Sequence, residues 1–251
     1  MRGLLGKLPR LAALCCLWSS VQASEPMHLN LVSFVDAPYV LPVEHRPHGL
    51  VVDYVEALMK RAGYSYNIEV LPPKRAVLHA LTQENTCVFP IERSQEREVE
   101  FHWVSPVLIS RHGFFHHPDK KFDNLRVLED VRSLRLGSYL GSGLGEYLAS
   151  MGFDVDYAAE NSANIHKLLA GRIDLWASDE ISAHFIASLD GRQLPPSPLV
   201  FFTTVRAMGC QRDMPVGIIQ NLTDTLRAMY RDGSFEKIKQ AFAKRMGIAL
   251  P

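Results

Sequence analysis

Patterns typical of short strands and amphipathic helices alternate along almost the whole chain of 251 residues. Strands are predicted at 28–34, 66–71, 86–89, 134–139, 155–158, 173–177 and 205–210, with extended crossings at 101–115 and 199–204. Helices are predicted at 50–62, 74–82, 145–151, 162–170, 180–189, 218–230 and 234–246. Such alternation predicts an α/β fold built on parallel strands. In open sheets of this kind ligands sit beyond the carboxyl ends of the strands, where Asp179 follows the strand at 173–177.

The amino terminus resembles an export signal. Arg2, Lys7 and Arg10 precede an apolar stretch at 11–18 that is too short to span a bilayer. Residues 21–23 then form a small-x-small cleavage site. A core helix is the alternative, but this order of features favours a signal peptide at 1–23 and a periplasmic protein. No later segment is long and apolar enough to cross a membrane.

The predicted signal peptide holds three of the 27 basic residues and none of the 27 acidic residues, so the mature chain is slightly acidic. This charge gives no argument for nucleic-acid binding, which favours a basic patch. Two cysteines remain after cleavage, Cys87 and Cys210. They could be two buried thiols, but an oxidising compartment favours a disulfide between them.

Five motifs follow one another along the mature chain: 37–39 with 49–54, 94–97 with 101–106, 137–143, 171–180 and 232–234. Their order and spacing resemble the periplasmic solute-binding proteins of polar amino-acid ABC transporters (family 3). The resemblance implies a two-lobed, periplasmic-binding-protein-like α/β fold (type II), with a ligand cleft between lobes joined by hinge strands. Residues 24–112 and 203–251 would form the first lobe, and residues 113–202 the second.

The same resemblance implies a set of ligand-binding residues. Arg97 would grip a carboxylate through two parallel hydrogen bonds, with Arg93 as a rival four residues away. Asp179 would hold an ammonium group, although Asp is also a favoured helix cap. Ser142 and Gly143 would offer a hydroxyl and helix N-terminal amides to an anion. Tyr39 would stack on the ligand or pack in the core.

The sequence departs from the family in the stretch before Arg97, where the usual hydroxyl residues are replaced by residues 90–93. Glu92 in this stretch would repel a carboxylate unless it points away or pairs with an arginine, which puts a standard α-amino acid in question. His112, His116 and His117 suggest a metal by count, but they lie in an extended run without metal-ligand spacing. The glycine-rich turn at 141–145 lacks the third glycine of a dinucleotide fingerprint. No metal and no cofactor are therefore expected.

The leading interpretation is a monomeric binding protein that captures a small carboxylate-bearing solute and presents it to an ABC permease. A dehydratase-like enzyme on the same scaffold is one alternative, in which Asp179, Glu180 or Glu92 would act as acid or base. A stand-alone sensory or accessory protein is another. The mature sequence contains no nucleophile–base motif, so binding without catalysis is predicted.

Overall fold

The computed structural model describes residues 27–41, 46–93, 95 and 97–248. The predicted signal peptide lies outside the described residues. Eight strands form one sheet in the order β2-β1-β3-β8-β4-β7-β5-β6. Their bounds are β1 His28–Ser33, β2 Ser65–Val70, β3 Thr86–Glu92, β4 His102–Phe115, β5 Leu136–Tyr139, β6 Val155–Ala158, β7 Leu175–Asp179 and β8 Val200–Cys210.

The described residues form seven α-helices, of which five connect strands and the last two follow β8. They are α1 Leu50–Ala62, α2 Pro73–Thr82, α3 Gly143–Ser150, α4 Ala163–Leu169, α5 Glu180–Leu189, α6 Val216–Arg231 and α7 Ser234–Met246, and a 3-10 turn spans Leu128–Val131. The predicted helix after residue 50 illustrates the local logic. Leu50, Tyr54 and Leu58 are buried at helical spacing on α1, and Gly63 ends the helix in a left-handed conformation.

The sheet is parallel at its two ends and antiparallel in the middle. β1 pairs in parallel with β2 and β3, and β5 pairs in parallel with β6 and β7. β8 runs antiparallel to both β3 and β4, and β4 runs antiparallel to β7. The two extended crossings therefore join the parallel ends as long strands, which confirms the predicted two-lobed α/β architecture. The predicted lobe boundaries at 112/113 and 202/203 fall within these strands.

The apolar core forms three clusters around this sheet. The largest packs α1, α6 and α7 beside the first strands and extends to α4 and α5. A second cluster centres on Phe114, Leu136, Leu148 and Leu175, and a third joins Val32, Ala76 and Val88 on the other side of β3. Within the described residues, no helix combines the length and apolarity that crossing a bilayer requires.

A disulfide joins β3 to the crossing strand β8. Cys87 and Cys210 lie directly opposite each other in the antiparallel ladder and are bonded. Both residues are fully buried. The predicted pairing is therefore the one that the structure contains, and it fixes the strand that leads toward Arg97.

Candidate functional site

Two adjoining cavities of about 620 and 560 Å³ form a cleft at the carboxyl ends of β1, β3, β5, β6 and β7. We call the larger one the Arg97 cavity and the smaller one the Asp179 cavity, after a charged residue that lines each. They share a wall formed by Val35, Asp36, Glu92, Tyr139, Gly143 and Arg206. The position agrees with the general rule for ligand sites in open α/β sheets.

The Arg97 cavity is lined by a cation that has no side-chain partner among the described residues. Arg97 is partly buried, lines this cavity, and makes no side-chain hydrogen bond or ion pair with any residue of the described segments. Lys74, at the start of α2, adds a second positive charge, and Phe34 and Val77 contribute apolar surface. Among the described residues, no side-chain bond of Arg97 has to break before this cavity accepts an anion. Ser94 and Glu96, from the same motif as Arg97, lie outside the described residues.

Arg93 is engaged elsewhere. Its Nε donates to Glu98 Oε2 at 2.8 Å and its Nη2 donates to Glu98 Oε1, while its guanidinium lies 5.7 Å from the centre of the Trp103 ring. It lines neither cavity of the cleft. Of the two rival arginines, the structure brings Arg97 to the cleft.

The Asp179 cavity is built around a buried carboxylate that the fold already uses. Asp179 is only 7% exposed, and its Oδ1 accepts the backbone N–H of Ser182 at 2.9 Å as the N-cap of α5. The same oxygen accepts a hydrogen bond from the Tyr39 hydroxyl. Asp179 Oδ2 is buried and has no hydrogen-bond partner among the described residues. Capping thus uses Oδ1, and Oδ2 retains acceptor capacity.

Tyr39 occupies a different place from the one that the family resemblance implies. It is fully buried and lines neither cavity, so it does not present its ring to a ligand in this conformation. Burial and then the nearby Asp179 charge raise the pKa of the Tyr39 hydroxyl, which keeps it a donor. The Ser182 hydroxyl also donates to Ala37 O at 3.4 Å. Tyr39 therefore belongs to a contact that ties the loop after β1 to the start of α5.

The turn after β5 provides the helix terminus that the sequence indicates. Ser142 caps α3, its Oγ accepting the N–H of Gly145 at 3.2 Å, and it lines the Asp179 cavity. Gly143 lines both cavities. Burial raises the pKa of Tyr139, which stands beside them on the shared wall. Together they place a hydroxyl, a phenol and the first turn of a helix around one part of the cleft.

Sequence reasoning missed two residues at the centre of the cleft. Arg206 Nη1 donates to Asp36 Oδ2 in an ion pair on the shared wall. Burial lowers the pKa of Arg206, but Asp36, Tyr39 and Asp179 together outweigh that effect and hold the pKa above its ordinary value. A signal was present, because Arg206 is the one charged residue in the predicted strand 205–210, and an isolated charge in a buried strand needs a partner.

His112 lies on the floor of the Asp179 cavity, in β4 opposite Asp179. Its Nε2 is 3.1 Å from Thr204 Oγ1, and its Nδ1 is buried without a partner in the described segments. Burial lowers the pKa of His112, although the Asp179 charge opposes the shift. His116 Nδ1 lies 2.9 Å from the backbone oxygen of His117. The described part of the chain contains no group of three His, Cys, Asp or Glu residues that could hold a metal ion.

No family model matches the sequence, and no curated relative was found. Solved structures do resemble the chain. A histidine kinase sensor domain described as similar to periplasmic binding proteins has a TM-score of 0.68 at 18% identity, over 90% of this chain and 99% of that one. Substrate-binding domain 2 of Lactococcus lactis GlnP, in an open conformation, has a TM-score of 0.69 at 16% identity, over 86% and 94%. The GluR0 ligand-binding core from Nostoc punctiforme, in complex with L-glutamate, has a TM-score of 0.65 at 15% identity, over 85% and 98%. These similarities confirm the periplasmic-binding-protein-like fold.

Proposed function

We propose that this protein is a periplasmic solute-binding protein of the family 3 type, which holds a small carboxylate-bearing solute in the cleft and passes it to an ABC permease. The observation that carries this proposal is the Arg97 guanidinium on the wall of a 620 Å³ cavity, without a side-chain partner in the described segments. A guanidinium matches a carboxylate in two parallel hydrogen bonds. An arginine that is partly buried and has no side-chain partner among the described residues is therefore suited to an anionic ligand.

The architecture supports capture by closure. The lobes, proposed at 24–112 with 203–251 and at 113–202, are connected through β4 and β8, and the cleft is lined from both sides of these strands. A ligand that contacts both lobes stabilises the closed arrangement relative to the open one. The loop after β1 and the start of α5 already touch through Tyr39 and Asp179, and this contact supports a meeting of the two proposed lobes near the crossing strands.

The proposal includes export, delivery and a monomeric state. Cleavage after Ala23 would release a mature chain into the periplasm, where the Cys87–Cys210 disulfide persists. Amino-terminal sequencing of the exported protein tests the cleavage site. Loss of cellular uptake of the bound solute, when the gene is deleted, tests delivery to a permease. A role in sensing, as in the histidine kinase sensor domain of the same fold, predicts unchanged uptake instead.

The binding test uses the mature protein in a thermal-shift screen against amino acids and small organic acids, followed by titration calorimetry of each hit. A ligand that binds the folded state raises the melting temperature by mass action. Arg97→Ala should weaken binding by about 30-fold or more, since losing one partner of a desolvated charge pair costs about 2–5 kcal/mol. Arg93→Ala is the matched control, because Arg93 pairs with Glu98 outside the cleft, and it should bind as the wild type does.

Binding without turnover is the second part of the test. Small-angle scattering should show the particle contracting when ligand is added. Mass spectrometry should recover the ligand chemically unchanged after prolonged incubation. Conversion of a cyclic hydroxy-acid in the same assay would support the dehydratase alternative, and Glu92, which lines both cavities, would then be the first carboxyl group to replace.

A further inference from the structure

The two residues that the family resemblance assigns to one ligand line different parts of the cleft. Arg97 lines the larger cavity and Asp179 lines the smaller one. The wall between the cavities instead carries its own pair of opposite charges, Asp36 and Arg206. A small solute in the middle of the cleft therefore lies beside Asp36 and Arg206, whereas Arg97 and Asp179 each line only one of the two cavities.

Arg206 lies on a strand that is paired on both sides, and it retains donors without an acceptor in the described part of the chain. It lies on β8, which is bonded to β3 on one side and to β4 on the other. Its guanidinium lies 4.8 Å from the centre of the Tyr39 ring and donates from Nη1 to Asp36. Its Nε is buried and has no acceptor among the described residues. Guanidinium groups have five N–H donors, so a carboxylate at Arg206 would satisfy donors that have no acceptor among the described residues.

Asp36 is fixed by a tight turn and has acceptor capacity of its own. Its backbone N–H donates to Val40 O at 2.9 Å, and its carbonyl oxygen accepts from Tyr39 N at 2.7 Å and from Val40 N at 2.8 Å. Its Oδ2 accepts from Arg206, and within the described segments no hydrogen bond reaches Oδ1. Glu92 lies on the same wall and adds a second negative charge, while the Asp36 side chain remains 26% exposed. This side of the pair suits a cationic group.

We propose that the Asp36–Arg206 pair receives the head group of an α-amino acid, with the ammonium group at Asp36 and the carboxylate at Arg206, while Arg97 holds a second anion on the solute's side chain. An α-amino acid carries its ammonium and carboxylate groups on one carbon atom. The Asp36–Arg206 pair presents two adjacent charges of opposite sign, which match these groups. The acidic side chain follows from the position of Arg97 and Lys74 in the neighbouring cavity. This inference rests on the proposed solute-binding function and makes its ligand an amino diacid.

The probes are L-glutamate and L-aspartate, with three analogues that each remove one charge. Glutarate lacks the ammonium group, γ-aminobutyrate lacks the α-carboxylate, and L-glutamine lacks the side-chain charge. Calorimetry on the mature protein should show binding of at least one amino diacid. Each analogue of L-glutamate should bind at least about 30-fold more weakly than L-glutamate itself, because it leaves one protein charge unpaired.

The variants are Asp36→Asn, Arg206→Lys and the double variant Asp36→Asn/Arg206→Met. The double variant removes both charges, so it leaves no unpaired charge and can be tested even if a single variant fails to fold. The double variant should lose binding at least about 100-fold while it still unfolds cooperatively. The matched control is Asp53→Asn/Arg245→Met, which removes a surface ion pair of 2.6 Å between α1 and α7. It should bind the amino diacid as the wild type does.

The outcomes separate the inference from the proposed function. Wild-type affinity in the Asp36 and Arg206 variants would overturn the inference and leave solute binding intact. Equal binding of glutarate and L-glutamate would overturn the ammonium site at Asp36, again without touching the proposed function. If neither these probes nor any member of the wider amino-acid and organic-acid screen bound the wild type, the proposed function would fail and the inference would fall with it.

Discussion

The two sides of the cleft differ in how far their charged groups are already committed to the fold. On the first side, Arg97 follows β3, is partly exposed and is left without a side-chain partner in the described segments. On the second side, Asp179 ends β7, is buried, caps α5 and accepts a hydrogen bond from Tyr39. The first side is held by a covalent bond between Cys87 and Cys210, and the second by a polar network.

This difference separates a residue that is available to a ligand from one that is first of all structural. Removing a charge that has no internal partner costs the ligand-free protein little stability. A buried charge that satisfies other groups leaves those groups unpaired when it is removed. Stability measurements on the ligand-free protein therefore test the comparison independently of any ligand.

The largest effect is expected from the disulfide that holds the first side. The Cys87→Ala/Cys210→Ala variant should lose about 2–5 kcal/mol of unfolding free energy, because the bond closes a loop with a sequence separation of 123 residues. Urea denaturation of the oxidised wild type and the variant measures the loss. Reductant should destabilise the wild type and leave the variant unchanged. A wild type that unfolds identically with and without reductant would contradict the prediction.

Asp179 is expected to have the next largest effect. Asp179→Ala removes a helix cap, which costs about 0.5–2 kcal/mol. It also leaves the buried Tyr39 hydroxyl without its acceptor, which costs about 1–3 kcal/mol. The combined loss in unfolding free energy, measured by urea denaturation, should be about 1.5–5 kcal/mol. Arg97→Ala, the matched variant on the other side, should change it by no more than about 0.5 kcal/mol. Equal losses in the two variants would erase the distinction between the two sides.

Most of the fold could be predicted because local sequence and tertiary packing agree. On α1 the spacing of Leu50, Tyr54 and Leu58 and the glycine after the helix each indicate the observed element. The crossings were harder to define. The patterns at 199–204 and 205–210 were separate in the sequence, but they form one strand, Val200–Cys210, because β4 and β3 pair along it. Such pairing depends on residues far away in the chain.

The site was predictable only where a motif fixes the position of a side chain. Ser142 and Asp179 lie at helix starts, as their sequence context indicates. Asp36 and Arg206 carry no motif, and 170 residues separate them in the chain, so no local pattern reports their contact. Tyr39 was open to two interpretations, and burial places it in the core. Contacts between residues far apart in the chain determine where Asp36, Arg206 and Tyr39 lie.

Tyr39→Phe isolates the hydrogen bond that commits Asp179. The variant keeps the buried ring and removes the hydroxyl donor, so it should lose about 1 kcal/mol of unfolding free energy. Tyr54→Phe is the control, since Tyr54 is also buried but its hydroxyl makes no hydrogen bond with any described residue. It should lose less than about 0.5 kcal/mol. A larger loss in the control than in Tyr39→Phe would show that ring packing, rather than the contact with Asp179, determines stability here.

The smallest effect is a pH dependence on the Asp179 side, where His112 lies. Asp179, Glu92 and Arg206 are the charged groups that act on it, and Thr204 accompanies its Nε2. Burial lowers the pKa of His112 below its ordinary value of 6.5. The unfolded chain therefore binds a proton at this residue more readily than the folded chain does.

The neutral buried His112 ring contributes fully to the unfolding free energy above pH 6.5. This free energy falls as the pH drops from 6.5 through the lower pKa of the folded state. His112→Gln removes the titrating group, so its unfolding free energy should fall less steeply than that of the wild type over this range. Urea denaturation at a series of pH values measures both slopes. Because burial also lowers the pKa of His184, the double variant His112→Gln/His184→Gln should have a shallower slope than either single variant. Parallel slopes in the wild type and His112→Gln would mean that this ring does not couple protonation to folding.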